Sequence, residues 1–377
     1  LGTRQIDDAG TAHDDRSSFE RPWLPLLTEI YGTGPAHDVG DRVAAMLDAH
    51  VGEPESTRSG PWDERDAWLI TYPDQFRRDG EAPLGTLAHF FADHLDDAFN
   101  GIHVLPFFPF TSDEGFSITD YQSVDERLGT WDDIETLGGA TRLMVDAVLN
   151  HCSVGSVWFE QWRSGDGYDS FFRTSDPDSD LAAVVRARQH PLLTEFATHD
   201  GPKWVWTTFS PDQVDLDYRN PEVLLNALDV VLTYARHGAG MIRLDAVGFL
   251  WKEEGTPSIH LPHTHHIVQF LRACLAVAYP DVLLLTETNV PHAENVVYLG
   301  DGTVREAHAV YQFPLPPLTL HAVFTGNAST LKRWIADIGS PPPGTSFLNF
   351  LGSHDGVGLR PLEDIVDPAD IEQLVAA

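Results

Sequence analysis

The stretch 240-GMIRLDAVGF-249 sets an arginine and an aspartate two positions apart inside an otherwise apolar run. If residues 241–247 form a β-strand, alternate side chains share a face, so Arg243 and Asp245 point one way while Ile242 and Leu244 face packed hydrocarbon. Taken alone, the pair reads equally well as a structural ion pair at a strand end or as part of a site. The rest of the chain separates the two readings.

Working outward, apolar strand-like runs alternate with helix-like segments. The strand candidates are 67–72, 101–108, 142–150, 241–247, 282–288, 308–313 and 346–351. Between them, 220-NPEVLLNALDVVLTYARHGAG-240 carries a capping Asn220, Pro221 in its first turn, and Gly238 or Gly240 as its stop. Such alternation argues for a parallel sheet, and at this length for an α/β (β/α)8 TIM barrel. Residues 151–219 are too long for a simple crossover and predict a small domain inserted after strand three. Residues 1–66 predict a mostly helical N-terminal extension, with the barrel divided between 67–150 and 220–377. Seven strands are countable where a barrel needs eight, and 361–377 reads as a loop and a helix. The sequence is therefore expected to be a fragment of a longer chain, with the eighth strand and any C-terminal domain lying beyond it.

The chain has 57 acidic against 24 basic residues, a net charge of −33. A field of that sign repels nucleic acid and anionic lipid, so neither is an expected partner. The acidity is spread along the chain, and our hypothesis is a solvated surface adapted to a salt-rich cell interior. No apolar run is long enough to span a bilayer, and residues 1–30 lack the apolar core of a signal peptide. Two cysteines, Cys152 and Cys274, form no disulfide framework. These features predict a cytoplasmic enzyme.

Active sites of such barrels gather at the C-terminal strand ends. Here those ends read 146-DAVLNH-151, 243-RLDA-246, 286-TETN-289 and, after strand seven, 353-SHD-355. These four ends each bear a carboxylate, two of them beside a histidine, and independent structural ion pairs explain that set poorly. Retaining chemistry on a glycosidic bond needs one ionised carboxylate as nucleophile and one protonated carboxyl as acid/base. In this reading Arg243 keeps Asp245, the nucleophile, ionised and oriented. Glu287 is the acid/base, its pKa raised by neighbouring carboxylates and partial burial. Asp355 binds sugar hydroxyls and favours the cationic transition state.

The four blocks DAVLNH, GMIRLDA, TETN and FLGSHD, in this order, resemble the α-amylase superfamily of retaining α-glucosidic enzymes from about Ala67 to Arg360. The resemblance implies the same roles for Asp245, Glu287 and Asp355, and glucose-binding or nucleophile-orienting roles for His151, Arg243 and His354. Within the superfamily, 106-PFFPFTSDEGFSITDY-121 and 208-TFSPDQVDLDY-218 look like the sucrose phosphorylase subgroup. There Asp113 would hold glucose hydroxyls, Phe116 would shield the site, and Gln213 would lie near the nucleophile. The runs 287–300 and 311–323 look nearest to members acting on sucrose 6'-phosphate or glucosylglycerate. That subgroup usually works without calcium, so no metal is expected at Asn150, where many amylases use an asparagine for that ion. No cofactor is expected either.

Three further signals remain. The basic island 184-VVRARQHPLLT-194 is either a solvated loop or an anion site in which Arg186 or, by its likeness to an acceptor-loop arginine, Arg188 grips a phosphate or carboxylate. The run 260-HLPHTHH-266 lacks zinc spacing and reads as a loop at the site's rim, with His265 its best candidate for facing substrate. Cys152 follows His151, but nothing activates it.

The resulting expectation is a phosphorylase that moves glucose from an α-glucoside to inorganic phosphate with net retention. A hydrolase or transglucosidase using the same carboxylates is the rival enzyme. A barrel that has lost its chemistry is the rival of another class, and the presence of all three carboxylates speaks against it.

Overall fold

A computed structural model describes residues 21–50, 63–363 and 365–376. Every strand expected from the sequence forms; six are shorter than their apolar runs, and the one expected at 241–247 keeps its length but lies two residues earlier. They are β1 (Trp68–Thr71), β2 (Gly101–Val104), β3 (Arg142–Val148), β4 (Ala239–Asp245), β5 (Leu283–Thr286), β6 (Ala309–Tyr311) and β7 (Ser346–Leu348). They make one sheet in the order β1-β2-β3-β4-β5-β6-β7, all neighbours parallel. The curled parallel sheet with helices between its strands is TIM-barrel-like.

Alternation along each strand sorts the side chains. On the concave side Met144, Met241, Leu283, Leu285, Ala309 and Tyr311 pack together. On the other side Ile102, Leu143, Val145, Ile242, Leu244 and Leu284 join the main core beneath the helices. Burying each of these aliphatic side chains contributes about 1.5–3 kcal/mol, which fixes the register and so decides which way Arg243 points. Among the described residues β1 and β7 do not pair with each other. A cavity of about 610 Å³ lies between elements of that side, lined by Trp68, Ile70, Met144, Met241, Tyr311 and Leu348 among others.

The helix Pro221–Arg236 starts as its sequence predicts: Asn220 accepts from the Glu222 N–H, and Pro221 occupies the first turn. Gly238, at φ 92°, supplies the stop, while Gly240 already belongs to β4. Of the expected N-terminal extension, Leu24–Tyr31 and Thr33–Asp48 are helices, and both pack on the helix layer of the sheet. Residues 1–20 and 51–62 of that extension lie outside the described residues.

Between β3 and β4 the chain forms a helix, Val157–Ser164, and two antiparallel pairs outside the main sheet. His151–Ser153 pairs with Gln213–Asp215, and Leu193–Thr198 with Gly201–Trp206. The first pair matters for function because it returns Asp212 and Gln213 to the end of β3. After β7 come the 3-10 turn Arg360–Leu362 and the helix Pro368–Ala376, the expected loop and helix.

Candidate active site

In-register pairing sets Asp146 of β3 beside Arg243 of β4. One guanidinium nitrogen of Arg243, Nη1, donates to Asp146 Oδ1 at 2.7 Å and to Asp245 Oδ1 at 2.8 Å. His103 of β2 closes the other side, its Nε2 2.8 Å from Asp146 Oδ2. Arg243 and Asp146 are almost wholly buried, with side-chain exposures of 2% and 0%. Burial alone would raise the Asp146 carboxyl, but His103 and Arg243 hold it down to about 2. The buried ionised pair thus has the partners it needs.

Asp245 ends β4, and Ala246 turns the chain away in a left-handed conformation at φ 47°. That turn aims the Ala246 N–H at Glu287 Oε2, 3.0 Å away, which ties the Glu287 carboxyl to the residue following Asp245. Burial raises Glu287 most; Arg243 opposes it, Asp245 and Asp355 add to it, and the carboxyl comes to about 7. Asp245 is also displaced upward, chiefly by burial, against the pull of Arg243 and then His151. The sequence predicted that Arg243 would keep Asp245 ionised. The arginine pulls that way, yet desolvation is the larger effect. Because Asp245 receives a guanidinium bond and Glu287 only a backbone N–H, a proton shared by the pair is held better on Glu287.

Asp355 follows β7, with Oδ2 3.9 Å from Arg243 Nη2 and 3.4 Å from His354 Nε2. Its side chain is 56% exposed, so it stands at the mouth while Asp245 sits deep. The rings of Phe116 and His354 stack at 5.2 Å. Arg243 Cζ lies 5.7 Å from the Phe116 ring and 5.8 Å from that of Tyr311, within cation–π range of both. Gln213 Nε2 donates to Asp113 Oδ2 at 2.8 Å and lies 3.4 Å from the Phe116 carbonyl oxygen, while His151 Nε2 lies 3.1 Å from that same oxygen. Asp113, Phe116, His151, Gln213, Arg243, Asp245, Glu287, His354 and Asp355 are thereby joined in one linked set. Gln213 Oε1, Arg243 Nε and His354 Nδ1 are buried there without a hydrogen-bond partner.

Asp146 was counted among the strand-end carboxylates without a role of its own, and His103 and Tyr311 were not singled out from the sequence. Each is a polar or hydroxyl-bearing residue inside an apolar strand run, the same anomaly that drew attention to Arg243. Recognising their connection requires knowing which strands are neighbours.

Other candidates stand apart. Arg188 is exposed, and among the described residues no ion pair reaches it. Arg186 instead donates to the His190 carbonyl oxygen, and burial lowers its pKa against the opposing pull of Asp215. The run 260–266 is not all loop: Pro262 opens the helix Pro262–Ala278, so His263, His265 and His266 are helical. The His265 Nδ1 is paired with Glu306 Oε1 at 2.6 Å, which corrects the substrate-facing reading. No group of three or more His, Cys, Asp or Glu able to hold a metal occurs among the described residues. At Asn150, Oδ1 accepts from the Lys252 ammonium at 2.8 Å, with the Leu216 carbonyl at 3.4 Å and Asp215 Oδ2 at 3.5 Å. An ammonium fills that oxygen cradle, and the residues do not fit a calcium ion there. Cys152 is buried against Ser156, and burial pushes its thiol up to about 12, so it is no nucleophile.

The catalytic-domain model of the α-amylase family matches residues 70–357, and the chain belongs to that family. Within it the chain is 51% identical over 341 residues to a glucosylglycerate phosphorylase of Allomeiothermus silvanus, covering 89% of this chain and 61% of that one. It is 45% identical to the glucosylglycerate phosphorylase of Escherichia coli, covering 93% and 63%. The crystal structure of sucrose 6F-phosphate phosphorylase from Thermoanaerobacter thermosaccharolyticum superposes with a TM-score of 0.73 at 25% identity, over 84% of this chain and 64% of that one. The chain thus spans about three fifths of the length of the curated relatives it matches.

Proposed function

We propose that this chain carries the catalytic centre of a retaining disaccharide phosphorylase that transfers a glucosyl group from glucosylglycerate to inorganic phosphate. The observation that supports it most is the unequal pair of carboxyls at the ends of β4 and β5. Asp245 is bound by Arg243, while Glu287 is lifted to about 7 beside it. An Asp245 oxygen attacks the anomeric carbon as Glu287 gives its proton to the departing glycosidic oxygen, and glycerate leaves. A phosphate oxygen then attacks the same carbon from the opposite face, displacing Asp245 and returning a proton to Glu287. Two inversions give α-glucose 1-phosphate with net retention. Asp355, at the mouth beside Arg243, stabilises the positive charge that develops on the sugar ring. Asp113, His151, Gln213 and His354 take glucose hydroxyls, and the Phe116 face shields the centre from water.

Glucosylglycerate is favoured over sucrose 6'-phosphate or sucrose because the relatives at 45–51% identity bear that name. We assign Arg188 to the acid group of the acceptor, on its likeness to an acceptor-loop arginine, its exposure and, among the described residues, the lack of an ion-pair partner. The segment 151–219 serves as an inserted wall of the pocket, between barrel segments 67–150 and 220–377, with 1–66 a helical extension. The enzyme would work in the cytoplasm without metal, cofactor, nucleic acid or membrane; no described helix is long and apolar enough to cross one. The test incubates the protein with glucosylglycerate, with and without phosphate, and reads glucose 1-phosphate. Free glucose at equal rates in both would replace this reading with a hydrolase.

A further inference from the structure

Asp212 stands one residue before Gln213 and touches none of the carboxylates described above, yet it gathers an unusual set of partners. Its Oδ2 accepts from Thr111 Oγ1 at 2.6 Å, from Ser117 Oγ at 2.7 Å, and from the Ser112 hydroxyl. Its Oδ1 accepts from Ser153 Oγ at 3.4 Å, and Ser153 Oγ lies 2.6 Å from Thr111 Oγ1. The Asp212 backbone carbonyl takes the Val154 N–H at 2.9 Å. One carboxylate is therefore held by four hydroxyls, and three of them belong to the seven residues 111–117.

That segment carries Asp113 and Phe116, and its backbone is strained. Asp113, Glu114 and Gly115 run consecutively at φ 55°, 52° and 110°. Two adjacent non-glycine residues in the left-handed region persist only where their surroundings over-determine them. Position 115 admits only glycine, since a Cβ on it would fall 2.9 Å from Pro106 Cβ and 3.0 Å from Pro106 O. Asp113 and Glu114 have no such enclosure and are exposed. Their side chains take the Gln213 amide and the Tyr72 hydroxyl, and the flanking hydroxyls at 111, 112 and 117 all end on Asp212, which holds the segment at both ends.

We propose that Asp212 is a positioning residue for the glucosyl subsite, latching segment 111–117 so that Asp113 and the Phe116 ring are presented to the sugar before it binds. The same residue sets Gln213, whose amide grips Asp113 from the other side at 2.8 Å. Although burial raises the Asp212 carboxyl, the hydroxyls of Ser112, Thr111 and Ser117 hold it below the usual range, so it is an acceptor for all of them. Without the latch, the segment samples conformations that cannot hold glucose. The apparent affinity then falls by the fraction of time it spends in the competent one, while turnover of the bound complex changes little.

This inference rests on the reading of the site as a glucosyl-transfer centre, and its test has two arms. In the full-length protein, Asp212→Ala should raise KM for the glucosyl donor roughly tenfold to a hundredfold, with kcat kept within about threefold. Asp212→Asn, which keeps one acceptor oxygen, should recover part of that loss. Hydrogen exchange should show the amides of 111–119 losing protection in Asp212→Ala, with glucose addition restoring it. Unchanged KM with unchanged exchange in Asp212→Ala overturns the proposal. So does a loss of kcat matched by a general loss of protection, because that marks a purely structural role. A wild-type protein that forms no glucose 1-phosphate defeats the phosphorylase reading instead, and the exchange arm still decides whether Asp212 holds the segment.

Discussion

Asp146 and Asp245, on neighbouring strands, take hydrogen bonds from the same nitrogen of Arg243, at 2.7 and 2.8 Å. A buried guanidinium thus divides its charge between a structural carboxylate with no exposure and one that opens to the pocket. The arrangement ties the charge state of Asp245 to a wholly buried carboxylate in β3.

Asp245→Asn should leave the fold intact, because Arg243 keeps Asp146 as an ionised partner. The enzyme should lose several orders of magnitude in kcat, since the only group able to form the glucosyl ester is gone. Circular dichroism and a steady-state assay check both halves. Retention of more than about a hundredth of wild-type kcat would argue against Asp245 as nucleophile.

Glu287 is lifted from the ordinary glutamate range to about 7. As an acid it must be protonated, so donor cleavage should fall as pH rises through about 7. The sign for stability is the same: the folded state holds the proton more tightly than the unfolded one, so stability present below about 4.5 is lost as pH rises through about 7. Glu287→Gln removes that dependence. Its Tm should exceed wild type at pH 8 and approach it near pH 4, and donors with good leaving groups should lose far less rate than natural ones. Equal losses for both kinds of donor would move the acid role elsewhere.

Asp146→Ala should unfold the site, not merely slow it. It removes one of the two carboxylates bonded to Arg243 and the partner of His103, and breaking such a buried pair typically costs about 3–5 kcal/mol. Denaturant titration measures the loss, and a change below about 1 kcal/mol would show that the pair is dispensable.

Arg188→Ala should raise KM for glycerate in the reverse reaction about tenfold to a hundredfold, the range of one charged hydrogen bond. Neutral acceptors and the glucosylation step should be unaffected. If neutral and anionic acceptors suffer alike, Arg188 is structural. A wild-type preference for neutral acceptors would remove the anionic-acceptor reading.

With a net charge of −33, the fold repels itself in dilute buffer. Our hypothesis of a salt-adapted surface predicts unfolding at low ionic strength with recovery at molar salt. Thermal melts that do not shift with salt would exclude it.

The sequence by itself determined the strands and their parallel order, though not the residues at which they stop. It could do so because periodicity and capping are local: Asn220 and Pro221 start their helix, and alternation puts Arg243 and Asp245 on one face. It also marked the carboxylates, since charge inside an apolar strand is costly without a reason. Only the tertiary structure decided which of those charges meet. Strand neighbours are set by packing between distant segments, so the bonds among His103, Asp146 and Arg243 had no local signature. The same holds for Lys252 filling the cradle at Asn150, for Glu306 claiming His265, and for the hydroxyls that meet at Asp212 from residues 59 to 101 positions away. The balance of charge on Asp245 and Glu287 was equally beyond the chain's reach, because burial, the largest influence on both, exists only once the sheet has curled around them.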